Sequence, residues 1–190
     1  MFRAIQSSAQ AVKGSLAKVA EQNNQSIAET FVNADVIIIV DTSGSMASRD
    51  GIERSRYQVA RDELAKLQSE LSGRIAVLAF SDTVVFCPNG VPYDLGGGTA
   101  MSEALSFAKV ADIPLMRFIV IADGYPNNRE EALRVARTFT SQIDTIYVGP
   151  ESDVSAKAFM QELASVKRGQ YATDKSGLKL AETTKQLLLK

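Results

Sequence analysis

Residues 36–46 read VIIIVDTSGSM: five aliphatic residues, Val36 to Val40, stop at Asp41, and three hydroxyl residues then gather around Gly44. An unbroken aliphatic run is the pattern of a strand buried on both faces, which is how strands of a parallel sheet read. Outward from this run, the same pattern recurs at 74–80 (RIAVLAF), 116–123 (MRFIVIAD) and 143–149 (IDTIYVG). A short run, TVVFC at 83–87, follows the second strand closely enough for a hairpin, and QYAT at 170–173 forms a last short strand.

Amphipathic stretches alternate with these runs. Ala60, Leu64, Leu67 and Leu71 mark a helix over 52–71, with Asp50 and Glu53 as its capping pair. Further helices are expected from Thr99 to about Val110, over 129–141 and 154–166, and from about Gly177 to the end. Strands and helices taking turns predict an α/β fold. It is a doubly wound, mostly parallel six-stranded sheet with one antiparallel edge strand and helices on both faces.

Composition narrows function. The chain has 190 residues, 45% of them hydrophobic, and a formal net charge of -1, which suits one domain with a sizeable core and gives no basic field for nucleic acid or an anionic membrane. No apolar run approaches the roughly 18 residues that a membrane span needs, and the first residues lack a secretory apolar region, so a soluble cytoplasmic protein is expected. Cys87 is the single cysteine, which precludes an internal disulfide. Histidine is absent, and with it the Ser-His-Asp triad, the Cys-His pair and histidine-bound zinc.

Residues 1–30 differ from the remainder. Phe2, Ile5, Ala9, Val12, Leu16 and Val19 fall at spacings of three and four, on one face of an expected N-terminal amphipathic helix; residues 31–190 form the main domain. A helix docked on its own domain, a partner or self-association helix, a tail and a transit peptide are all open readings here.

In an open parallel sheet, ligands bind beyond the carboxyl ends of the strands, where the connections diverge. Asp41 ends the first strand and Asp123 ends 116–123, so both carboxylates are expected on that edge. Two buried carboxylates repel unless a cation lies between them. Ser43 and Ser45 add hydroxyls, and Thr99 follows the triple glycine 96–98. Hard oxygen donors of this kind suit Mg²⁺, with Mn²⁺ or Ca²⁺ as alternatives, and not zinc or copper. Taken singly, each residue has a plain structural reading: hydroxyl turns for the serines, a helix cap for Thr99, strand-end carboxylates held by amides. The triple glycine lacks the lysine of a phosphate loop. Asp82 and Asp94 read as rim charges, and Tyr125, Pro126 and Asn127 as a turn bordering the edge.

DTSGSM with its D-x-S-x-S pattern, GGGT, and IADG, in that order and on those elements, resemble the von Willebrand factor A family over about Ala34 to Lys190. The resemblance implies a metal-ion-dependent adhesion site. Ser43 and Ser45 would bind the metal directly, Asp41 and Asp123 directly or through water, and Thr99 would join when a ligand binds. It further implies a non-enzymatic adaptor whose metal takes an acidic side chain from a protein partner, an AAA+ type ATPase or larger assembly among the candidates. The rival expectations are a metal-dependent hydrolase or phosphotransferase and an assembly protein acting through the N-terminal helix.

Overall fold

The structure is a computed structural model that describes residues 10–50, 53–175 and 177–189. The aliphatic runs become a six-stranded sheet. Its strands are β1 (Val36–Asp41), β2 (Ile75–Phe80), β3 (Val84–Phe86), β4 (Arg117–Ala122), β5 (Ile143–Tyr147) and β6 (Tyr171–Thr173), in the order β3-β2-β1-β4-β5-β6. β3 pairs antiparallel with β2, and every other pairing is parallel. β1 is central: Val36 pairs with Ile75 on one side and Arg117 on the other.

Alternate side chains of each strand enter opposite layers. Ile37, Ile39, Phe118 and Val120 pack with α4 (Met101–Ala108), α5 (Arg129–Arg137) and α6 (Val154–Ser165). Val36, Ile38, Val40, Ile119 and Ile121 pack with α3 (Arg56–Glu70) and α7 (Leu180–Leu188). Burial on both faces is why these strands are apolar throughout rather than alternating.

Three local expectations are corrected. α3 begins at Arg56, and its capping box is Ser55 with Gln58, not Asp50 with Glu53: Ser55 Oγ accepts from Gln58 N, and Gln58 Oε1 accepts from Ser55 N. Ile52 lies outside the described residues. The helix expected to open at Thr99 opens two residues later, because Thr99 is held in a loop by backbone bonds at both its N–H and its C=O.

The third correction concerns the continuous N-terminal helix. Phe2, Ile5 and Ala9 lie outside the described residues, and the described part is two short helices, α1 (Leu16–Asn23) and α2 (Ile27–Phe31). Asn24 stops α1 in the left-handed conformation (φ 53), and Ser26 with Glu29 restarts the chain as a capping box. This segment lies on its own chain: Val12 N donates to Asn89 O, Ala17 N to Pro88 O, and Leu16 is buried in the core. Gly14 (φ +81) passes so close to α3 that a Cβ there would lie 2.0 Å from the Gln68 carbonyl oxygen.

Candidate metal centre

β1 and β4 are parallel neighbours, with Val40 opposite Ile121, so Asp41 and Asp123 leave the sheet side by side. Both are almost fully buried. The chain after Asp41 turns back at once: Ser43 N donates to Asp41 Oδ1 at 2.8 Å, and Ser43 Oγ lies 3.1 Å from Ser45 Oγ. Residues Gly44–Ala47 form a 3-10 turn pinned beneath by the buried side chain of Met46, while Ser45 faces solvent. The mouth of the site is therefore at Ser45.

The glycine loop closes the second side. Gly44 N donates to Gly97 O at 2.9 Å, and Gly96 N to Thr42 O at 3.1 Å. Asp82, expected as a rim charge, is exposed but bound: its Oδ2 accepts from Gly98 N at 2.9 Å. A Cβ on Gly97 (φ +85) would meet that carboxylate at 2.3 Å, so the loop requires glycine there. Thr99 is clamped to Asn127, whose Oδ1 accepts from Thr99 N and whose N–H donates to Thr99 O, both at 2.9 Å. Asn127, read from sequence as part of a bordering turn, thus holds the Thr99 loop to the end of β4. Tyr125, two residues earlier, is half exposed and donates its hydroxyl to Asp153, and Asp94 stays exposed.

Among the described residues, no group of three or more His, Cys, Asp or Glu could hold a metal ion. The donor set here is instead two carboxylates with hydroxyls, and its unmet bonds point to a cation. Asp41 Oδ2 and Asp123 Oδ1 are buried without a hydrogen-bond partner. An unpaired buried carboxylate oxygen is costly, and a divalent cation satisfies it without needing a proton. Burial pushes the Asp41 carboxyl up to about 7, the nearby Asp123 charge adding to it and the bonds from Ser43 opposing it. The residues present fit a hard divalent ion.

One participant was not foreseen. Arg56, the first residue of α3, donates from Nη1 to Asp123 Oδ2 at 3.0 Å and to Ser45 O at 3.5 Å, while Nε and Nη2 grip Asp50 at 2.6 and 2.8 Å. An arginine at a helix N-terminus opposes the helix dipole, and α3 carries no acidic residue in its first turn. That mismatch was the available signal.

No family model matches the sequence, and no curated protein matches it. Solved structures do share its fold. An aerotolerance-related membrane protein from Bacteroides fragilis superposes with a TM-score of 0.63 at 19% identity, covering 81% of this chain and 98% of that one. A von Willebrand factor type A structure from Catenulispora acidiphila gives 0.61 at 18%, covering 80% and 41%. Manganese-loaded TRAP from Plasmodium vivax gives 0.56 at 18%, covering 79% and 72%. The fold is of the von Willebrand factor A type. No helix among the described residues is long and apolar enough to cross a membrane.

Proposed function

We propose that this protein is a metal-dependent binding module, with Asp41, Ser43, Ser45, Thr99 and Asp123 as the metal-binding residues and an acidic side chain of a protein partner as the ligand. The observation that carries the reading is the pair of buried, unpartnered oxygens, Asp41 Oδ2 and Asp123 Oδ1, at the carboxyl edge of adjacent strands beside the Ser43 and Ser45 hydroxyls. When bound, a Mg²⁺-type ion keeps coordination positions beyond those that the protein fills, and one of these accepts an external carboxylate. Manganese in the structurally similar TRAP supports Mn²⁺ as a usable ion.

The chain's own residues do the remainder. The Ser43–Asp41 turn fixes one carboxylate and both hydroxyls in a tight loop, and Thr99 is held through its own N–H and C=O by Asn127. Binding is favoured over turnover because the chain has no histidine, and the carboxylates of the edge are those the cation would engage. Partner choice falls to the rim, in the loops carrying Asp94, Tyr125 and Asp153, since one carboxylate contact is too small for specificity.

Calorimetric titration with Mg²⁺ and Mn²⁺ tests the reading. Saturable binding is expected in the wild type and none in Asp41→Ala, with a melting temperature that rises with metal only in the former. Equal metal response in the two proteins places the ion elsewhere.

A further inference from the structure

Resting on the metal-site reading, we infer that Arg56 is an internal counter-cation: it stabilises the paired carboxylates without metal, and it holds the site's affinity for divalent ions below what its donors alone would give. Guanidinium stays charged at any pH a folded protein meets. Here it is nine-tenths buried, with Nε and Nη2 committed to Asp50, so only Nη1 is directed at the site. Nη1 reaches one oxygen of Asp123, Oδ2, and leaves Oδ1 bare.

The Asp123 carboxylate is therefore divided rather than occupied. One oxygen serves a fixed cation, and the other remains open beside Asp41. The negative charge of Asp123 is already partly offset by a fixed positive charge, which it shares with Asp50. An incoming divalent ion must share Asp123 with that charge, and in a poorly solvated site the repulsion is weakly screened. Because Nη1 also bonds the Ser45 carbonyl, Arg56 ties α3 to the serine loop whether or not metal is bound. Asp50 orients the guanidinium from the far side, bidentate, so the geometry does not depend on Asp123.

Free Mn²⁺ measured by electron paramagnetic resonance, and melting in chelator at about pH 8, test the inference on wild type, Arg56→Gln and Arg56→Lys. Arg56→Gln should bind Mn²⁺ about tenfold more tightly or better, and Arg56→Lys, which keeps the charge but not the fork that spans Asp50 and Asp123, should lie between wild type and Arg56→Gln. In chelator Arg56→Gln should melt below wild type. The deficit should shrink at saturating Mn²⁺, and also in the double variant Arg56→Gln/Asp123→Asn, where the unpaired charge of Asp123 is gone and only the partly exposed Asp50 is left without its guanidinium. An unchanged or weaker Mn²⁺ affinity in Arg56→Gln overturns the affinity role, leaving Arg56 a positioning residue for Asp123. Equal melting of wild type and Arg56→Gln in chelator overturns the counter-ion role, and this comparison holds even if no protein binds Mn²⁺, a result that would defeat the metal reading and the affinity role together. Should Arg56→Gln fail to fold in chelator while the double variant folds, the counter-ion role is supported.

Discussion

Two ends of the same sheet bury carboxylates in opposite ways. Near the amino ends of the strands, Asp144 is fully buried and fully answered: Oδ2 accepts from Arg117 Nη2 at 2.7 Å, and Oδ1 accepts from Gln142 Nε2 at 2.6 Å and Gln170 N at 2.8 Å. At the carboxyl ends, Asp41 and Asp123 are about as deeply buried, yet each keeps one oxygen without a partner. Depth alone does not separate a structural charge from a functional one. Saturation does differ: the protein partners of Asp144 are complete, whereas Asp41 and Asp123 each keep an oxygen that the proposed cation would satisfy.

The largest expected effect breaks the saturated end. Asp144→Ala strands the partly buried Arg117 guanidinium and frees two further donors, and should cost about 3–5 kcal/mol, equally in Mg²⁺ and in chelator. Asp41→Ala should behave in the reverse manner. Without metal it relieves carboxylate repulsion and should hold or raise stability, but it forfeits the roughly 2.7 kcal/mol that metal at 100 times its dissociation constant gives the wild type. Denaturant titration of both variants in the two conditions checks the contrast, and a metal-dependent cost for Asp144→Ala would erase it.

A second test sharpens the contrast by pH. The Asp41 carboxyl is raised from 3.8 to about 7 by burial. A group whose folded pKa is raised binds its proton more tightly when folded. Its contribution is therefore fully present below pH 3.8 and is lost as pH rises through about 7. At 1.36 kcal/mol per unit the loss is about 4 kcal/mol, an upper figure for one buried carboxyl. In chelator, Asp41→Asn should gain on the wild type by up to that amount between pH 4 and 8. Metal reverses the trend, since it binds the ionised form, so stabilisation by Mg²⁺ should grow over the same interval. A difference between the two proteins that stays flat with pH would mean Asp41 is ionised in the metal-free fold.

How far the sequence anticipated this edge depends on the range of the interaction. The fold was readable because VIIIV and FIVIA are apolar at every position, as strands of a two-faced parallel sheet are, and strand order then put Asp41 and Asp123 together. The serine turn was readable because Asp41, Ser43 and Ser45 bond across two residues. Arg56 was missed because its bond to Asp123 spans 67 positions, and Asp50, taken for a helix cap, is instead its anchor. The N-terminal helix was read as continuous because apolar spacing carries no record of a left-handed Asn24. Periodicity reports which face is buried, while partners distant in sequence appear only in three dimensions.

The smallest effect concerns Asn127, which joins the two halves of the candidate centre. Its side chain satisfies Thr99 N, a donor buried away from solvent, and its own N–H holds Thr99 O, a bond that survives truncation. Asn127→Ala should therefore cost about 1–3 kcal/mol of stability, the range for leaving a buried donor unsatisfied, and Asn127→Asp, which keeps an acceptor, should lose less to the missing bond. Neither change touches Asp41, Ser43 or Ser45, so Mn²⁺ affinity of Asn127→Ala should remain within about twofold of wild type, below 0.5 kcal/mol. If Thr99 enters the site only with an acidic ligand, the loosened loop should weaken an Mn²⁺-dependent glutamate peptide more than it weakens Mn²⁺ itself. Melting curves and the paired titrations read the two quantities separately. A large loss of Mn²⁺ affinity in Asn127→Ala would show that Thr99 binds the ion in the resting protein, and that the glycine loop is part of the same closed turn as the serines.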